Sequence, residues 1–100
     1  MKTLRKVEII PVWVEDFIPP KEELEENKLY ISIKYNTVIH KCLCECGNLS
    51  VTPLIKNTGW FLTDVDNKVT LTPSILNTNC PNKSHYIITK NIANFVWKLN

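Results

Sequence analysis

The residues best suited to chemistry fall in two short clusters. The run His40-Lys41-Cys42-Leu43-Cys44-Glu45-Cys46-Gly47 holds three of the chain's four cysteines and one of its two histidines. The second run, Cys80-Pro81-Asn82-Lys83-Ser84-His85, holds the remaining cysteine and histidine. Zinc binds thiolates at about 2.3 Å, so four sulfurs around one ion lie within roughly 4 Å of each other. His40, Cys42, Cys44 and Cys46 share a parity, yet side chains at i and i+2 of a straight strand stand roughly 6.5 Å apart. The chain must therefore curl after Cys42, and Gly47 permits a tight knuckle with backbone N–H groups turned toward sulfur.

With Cys80 arriving on a remote loop, the expected ligand set is Cys42, Cys44, Cys46 and Cys80 around one structural zinc ion. Three alternatives stand beside it. The thiols can be buried or mutually oxidised, the ion can be another metal, or the site can be a catalytic one. In that last form three protein ligands hold a water, and His40 or His85 replaces a cysteine. No His-Glu-x-x-His pattern accompanies it.

A serine nucleophile needs a base within hydrogen-bond reach. Ser84 and His85 are adjacent, so on a strand they point to opposite faces and cannot serve each other. Two pairings remain, Ser84 with His40 and Ser74 with His85. One metal ion would draw Ser84, four residues past Cys80, and His40, two before Cys42, into the same neighbourhood. Glu15 or Asp16 is available to orient an imidazole. No Gly-x-Ser-x-Gly elbow is present. Read as structure alone, the histidines are hydrogen-bonded framework residues, Ser74 caps a strand end, and Trp60, Trp97 and Tyr86 pack the core.

The elements that position these residues read as strands. Lys6 to Ile10 is a short strand stopped by Pro11. Val12 to Ile18 is broken by Glu15-Asp16 and closed by Pro19-Pro20. Residues 21–26 form an acidic turn anchored only by Leu24. From Lys28 the period is two, with Leu29, Ile31, Ile33 and Tyr35 on one face. Thr37 to Cys42 returns, Leu49 to Ile55 follows, and Asn57-Thr58-Gly59 turns into Trp60 to Thr63. Asp64 to Lys68 is a hairpin turn, Val69 to Thr72 returns, and Pro73 ends that strand. Ser74 to Asn82 is then a loop carrying Cys80, and Tyr86–Thr89 pairs with Ile92–Leu99 across Lys90-Asn91. With eleven asparagines against two glycines, asparagine is expected to take the positive-φ turn positions. The expectation is a mainly β fold: one small antiparallel β domain over residues 1–100, of about six or seven short strands, with a zinc knuckle between the Cys-x-Cys-x-Cys turn and the Cys80 loop.

Composition bounds the partners. One hundred residues, 44% apolar and 22% charged, suit one soluble domain whose thin core gains from a metal. Seven of the ten acids fall in the first 26 residues, and the lysines beyond are scattered singly, so nucleic acid is not expected. The basic N-terminus lacks an apolar h-region, so no signal peptide or membrane span is expected and the reducing cytosol is the expected compartment.

Several runs together resemble the BubE-like family. They are Lys28-Leu29-Tyr30-Ile31-Ser32, His40-x-Cys42-x-Cys44-x-Cys46-Gly47, Thr52-Pro53-Leu54 and Gly59-Trp60-x-Leu62-Thr63. Val69-x-Leu71-x-Pro73-Ser74-Ile75-x-Asn77, Cys80, Ser84-His85-Tyr86 and Trp97 extend the resemblance to nearly the whole chain. The departures are Glu45, where the family carries glycine, and a longer spacing from Cys80 to Ser84. The resemblance implies a peptidase, encoded with a bacterial ubiquitin-like protein and its conjugation enzymes and associated with phage defence, that matures that protein or removes it from conjugates. It places the metal at Cys42, Cys44, Cys46 and Cys80, and draws the active site from His40, Ser74, Ser84 and His85.

The expected function is accordingly cleavage after the exposed C-terminal tail of a bacterial ubiquitin-like protein, by serine–histidine chemistry next to a structural zinc. A shallow groove beside an edge strand would hold the tail by strand addition. The alternatives are a non-enzymatic zinc-ribbon-like module that docks the same protein or its enzymes, and a zinc-water hydrolase.

Overall fold

Alternation along the strands turns one half of each toward a common interior, and that interior is apolar. The computed structural model describes residues 5–56, 59–78, 80–81 and 83–96. The expected turn residues Asn57 and Thr58, loop residue Asn82, and Trp97 lie outside them, as do Met1–Leu4. Nine strands occur in the described residues. They are β1 (Lys6–Glu8), β2 (Ile10–Val14), β3 (Lys28–Ser32), β4 (Thr37–Lys41), β5 (Leu49–Pro53), β6 (Phe61–Val65), β7 (Lys68–Leu76), β8 (His85–Thr89) and β9 (Ile92–Phe95). The fold is mainly β, in two small sheets ordered β1-β9-β8-β7-β6 and β2-β3-β4-β5. Ile9, Leu29, Ile31 and Val38 meet Leu71, Tyr86, Ile88 and Phe95 in one core, with Trp60 packed at its margin.

The chain changes sheets at Ile9, whose N–H bonds the Asn91 carbonyl while the Ile10 N–H bonds that of Asn27. β1 and β2 thus close one side of the two-sheet stack. On the other side β5 ends its sheet, and β6 pairs only with Lys68–Thr72 of β7. The remaining half of β7, Pro73 to Leu76, has no strand on that side among the described residues, so a seam runs between it and β5.

The mainly β expectation holds, with nine strands and one parallel pair, β2–β3, among the described residues. Three expectations need correction. Pro11 lies inside β2, an edge strand, where its missing N–H is tolerated. Ile33 and Tyr35 do not continue the buried face. The chain turns after Ser32, with the Asn36 N–H on the Ile33 carbonyl, and leaves them 56% and 46% exposed. Pro73 does not end its strand. β7 runs on to Leu76 because β6 stops opposite Thr72, so no pairing on that side is lost. Ser74 is therefore a strand residue, not a loop residue.

The turn chemistry follows expectation. Asn27, Asn36, Asn67 and Asn91 all adopt positive φ, between 50° and 66°. The acidic stretch is a 3₁₀ turn, Lys21–Glu23, pinned by buried Leu24.

Candidate active site beside a four-cysteine cluster

The knuckle forms where β4 ends. The Glu45 N–H bonds the Cys42 carbonyl at 3.0 Å and the Cys42 N–H bonds that of Asn48 at 2.8 Å. Glu45 at φ 68° and Gly47 at φ 88° supply the curl. The four sulfurs of Cys42, Cys44, Cys46 and Cys80 come within 4.8 Å of one another. Cys42 and Cys44 are 3.3 Å apart and Cys44 and Cys80 3.0 Å. None of the four is in a disulfide among the described residues. A tetrahedral zinc–thiolate site has sulfur edges of about 3.8 Å, so the donor set fits one thiolate-binding ion.

Polar groups surround the sulfurs as they do in such sites. The backbone N–H groups of Cys44, Ser84 and Asn48 bond Cys42, Cys80 and Cys46. Ser84 Oγ lies 2.9 Å from Cys42 Sγ and donates to Cys80 Sγ at 3.4 Å, and the Asn77 amide donates to Cys42 Sγ at 3.2 Å. Burial pushes the Cys42 thiol up to about 12, despite the bond from Ser84. Burial also acts to raise Cys80, but bonds from Ser84 and Cys44 outweigh it and draw that thiol down to about 6.

The expected pairing of Ser84 with His40 is not formed. Ser84 faces sulfur, and His40 Nε2 meets the Tyr86 hydroxyl at 2.7 Å. The Asn77 amide donates to that hydroxyl at 3.0 Å, leaving the phenolic proton to go to His40. His40 is fully buried, and burial holds it down to about 4, so it is a neutral ring whose Nδ1 has no partner among the described residues. Asn77 Oδ1 accepts the Ser50 hydroxyl at 2.8 Å. Cys42, Asn77, Tyr86 and His40 thus form one buried polar chain.

The second pairing is present: His85 Nε2 lies 2.7 Å from Ser74 Oγ. Register explains the contact. Leu76 pairs with His85 and Ile75 with Tyr86, while an irregularity between Leu71 and Ile75 adds residues to β7 around Ser74. Ser74 is the diagonal neighbour of His85 on the outer face of the sheet, and both are half-buried. Ser84 and Tyr86, on either side of His85, turn inward. Neither Glu15 nor Asp16 is bonded to an imidazole, and Asp16 holds Lys34 at 3.3 Å and Tyr35 at 3.2 Å.

Both members of the pair are tied to the cysteine cluster. Ser84 precedes His85, Asn77 lies three residues past Ser74, and the Asn77 N–H bonds the Ser84 carbonyl at 2.9 Å. Sequence reasoning missed the parts played by Asn77, Ser50 and the Tyr86 hydroxyl. The signals were an asparagine directly after the apolar pair Ile75-Leu76 and three residues before Cys80, and a tyrosine adjoining a candidate histidine.

A protein-family model described as "Bacterial ubiquitination-like system serine protease (BubE)" matches residues 14–96, which include both clusters. No curated protein and no solved structure matches the chain. Among the described residues, no helix is long and apolar enough to cross a membrane.

Proposed function

The chain belongs to the BubE family of bacterial ubiquitination-like system serine proteases, and from that premise we propose that it is a peptidase with Ser74 as nucleophile and His85 as general base. The observation that carries this reading is the 2.7 Å contact between Ser74 Oγ and His85 Nε2. It is the serine–histidine contact among the described residues that sits at a half-open surface, whereas Ser84 and His40 are sealed.

The chemistry follows from that contact. His85 Nε2 takes the hydroxyl proton as Ser74 Oγ attacks a peptide carbonyl. The imidazolium then gives its proton to the leaving amine as the C–N bond breaks, and water, deprotonated by the same ring, releases the acyl group from Ser74. Ser84 and His40 act as positioning residues. The cysteine cluster holds one zinc ion in a closed four-thiolate site, where it secures the ends of β7 and β8. The substrate is a bacterial ubiquitin-like protein, as a precursor with residues beyond its tail or as a conjugate, and the work is done in the cytosol, where the thiols stay reduced.

The test is incubation of a tail-extended ubiquitin-like precursor with the wild-type chain and with Ser74→Ala, His85→Ala, Ser84→Ala and His40→Ala. Cleavage abolished by the first two changes and retained by folded Ser84→Ala supports the assignment. Cleavage that survives Ser74→Ala overturns it. Binding with no cleavage by the wild type would favour a docking module, and cleavage surviving every serine change but lost with the metal would favour metal-water chemistry.

A further inference from the structure

The seam between β5 and β7 is an open slot between two backbone edges that no strand among the described residues pairs. In the β4–β5 ladder the Cys42 N–H bonds the Asn48 carbonyl and the Leu54 N–H bonds that of Asn36. Antiparallel alternation therefore turns the N–H and C=O groups of Ser50 and Thr52 toward β4, and those of Leu49 and Val51 toward the seam. The Trp60 N–H on the Pro53 carbonyl, at 2.9 Å, confirms the direction. On the facing wall the Asn77 N–H bonds the Ser84 carbonyl, so Leu76, one residue earlier, turns its N–H and C=O away from β8 and into the same slot.

Side chains shape the slot. Ser50 and Asn77, joined at 2.8 Å, lie at its base. Trp60 closes the end nearer Pro73, held there by a loop in which a side chain on Gly59 would collide with the Pro53 carbonyl and Ile55. The slot's volume is about 170 Å³; no Lys, Arg, Asp, Glu or His side chain lines it among the described residues, and Cys80 of the cysteine cluster reaches its lining. Ser74 is two residues from Leu76 along the same strand.

We propose that this seam is the substrate groove, taking an extended, uncharged segment with small side chains as an added strand and delivering a peptide bond of it to Ser74. This rests on the peptidase reading above. The occupant is a polypeptide because backbone donors and acceptors at Leu49 and Val51 on one wall and Leu76 on the other are matched by a backbone, with alternate N–H and C=O groups on its two sides. It is slender and uncharged because the slot is small and no acidic or basic side chain lines it among the described residues. The flexible C-terminal tail of a ubiquitin-like protein has the required form; a folded surface does not.

The test combines three measurements on the full chain, with a bacterial ubiquitin-like protein extended beyond its tail as probe. Val51→Pro removes an N–H that faces the slot and places a ring in it, without removing a bond to β4. Val65→Lys, at an exposed position of β6 outside the slot, is the control. A fluorophosphonate reports whether Ser74 is reactive, independently of the groove. The expected result is equal labelling of Ser74 in all three proteins, with probe cleavage about tenfold slower or worse in Val51→Pro alone. Equal cleavage by Val51→Pro and wild type overturns the groove and leaves the Ser74–His85 assignment standing. Absence of labelling at Ser74 in the wild type overturns that assignment instead. Should Val51→Pro fail to fold, amide exchange on Ser74→Ala decides: the groove requires slowing at Leu49, Val51 and Leu76 when the probe binds, and slowing confined elsewhere overturns it.

Discussion

Ser84 and His85 are neighbours in sequence but serve different centres. Ser84 Oγ lies 2.9 Å from Cys42 Sγ, and His85 Nε2 lies 2.7 Å from Ser74 Oγ. One peptide unit therefore joins the cysteine cluster to the outer face of the sheet. The two serines should separate cleanly in experiment. Ser84→Ala removes a hydroxyl from buried sulfur and should cost about 1–3 kcal/mol of stability. Metal affinity should fall about tenfold or more, as outer-shell changes do, with turnover by the metal-loaded protein within a few-fold of wild type. Ser74→Ala should melt like the wild type and lose turnover altogether. Thermal melts, chelator competition and initial rates together check the contrast.

Asn77 is the branch point of the buried polar chain, donating to Cys42 Sγ and the Tyr86 hydroxyl and accepting from Ser50. Asn77→Asp keeps the size and the acceptor but loses both donors and sets a carboxylate beside a thiolate. It should release the metal more readily than Asn77→Ala, since alanine removes bonds without adding repulsion. Metal content after dialysis at neutral pH gives the ranking, and equal retention by the two variants would count against the Asn77–Cys42 bond.

The cysteine cluster and most strands were legible because they depend on local spacing. Thiols at i, i+2 and i+4 beside a glycine leave little but a knuckle, and period two marks β4 and β8 directly. Ser74 was not legible in the same way. Whether Pro73 ends a strand depends on whether a partner needs its N–H, and that depends on β6 stopping opposite Thr72, a non-local fact. Ser84 was ambiguous for a similar reason. A serine four residues past a metal ligand can face the sulfurs or a substrate, and the inward turn at the start of β8 decides it. The family resemblance named four polar residues, His40, Ser74, Ser84 and His85, without sorting them into pairs.

Glu45 holds φ at 68°, a left-handed position that favours glycine. A left-handed L-residue costs about 1–2 kcal/mol, part of which glycine gives back as unfolded-state entropy. The Arg5–Glu45 ion pair, 3.4 Å long and largely exposed, offsets little of that. Glu45→Gly should therefore stabilise the chain by about 0.5–1 kcal/mol, seen as a higher Tm with unchanged metal content. A lower Tm would show that the ion pair matters more than the backbone.

Metal removal should silence the chain before it unfolds. The sulfurs join the end of β4 to the Cys80–Ser84 segment, which leads directly into His85. The apolar core between the sheets includes no cysteine ligand other than the packed margin of Cys44, so much of it survives without the ion. His85, at the first position of β8, loses its anchor, whereas Ser74 stays on β7. Titration with a chelator should lower fluorophosphonate labelling of Ser74 in step with metal content, at temperatures where the far-ultraviolet circular dichroism of the sheets persists. Stripped protein that keeps both its sheets and full labelling would show that the cluster does not position His85. Simultaneous loss of labelling and sheet signal would show that the ion holds the whole fold, the limit reached by small zinc domains.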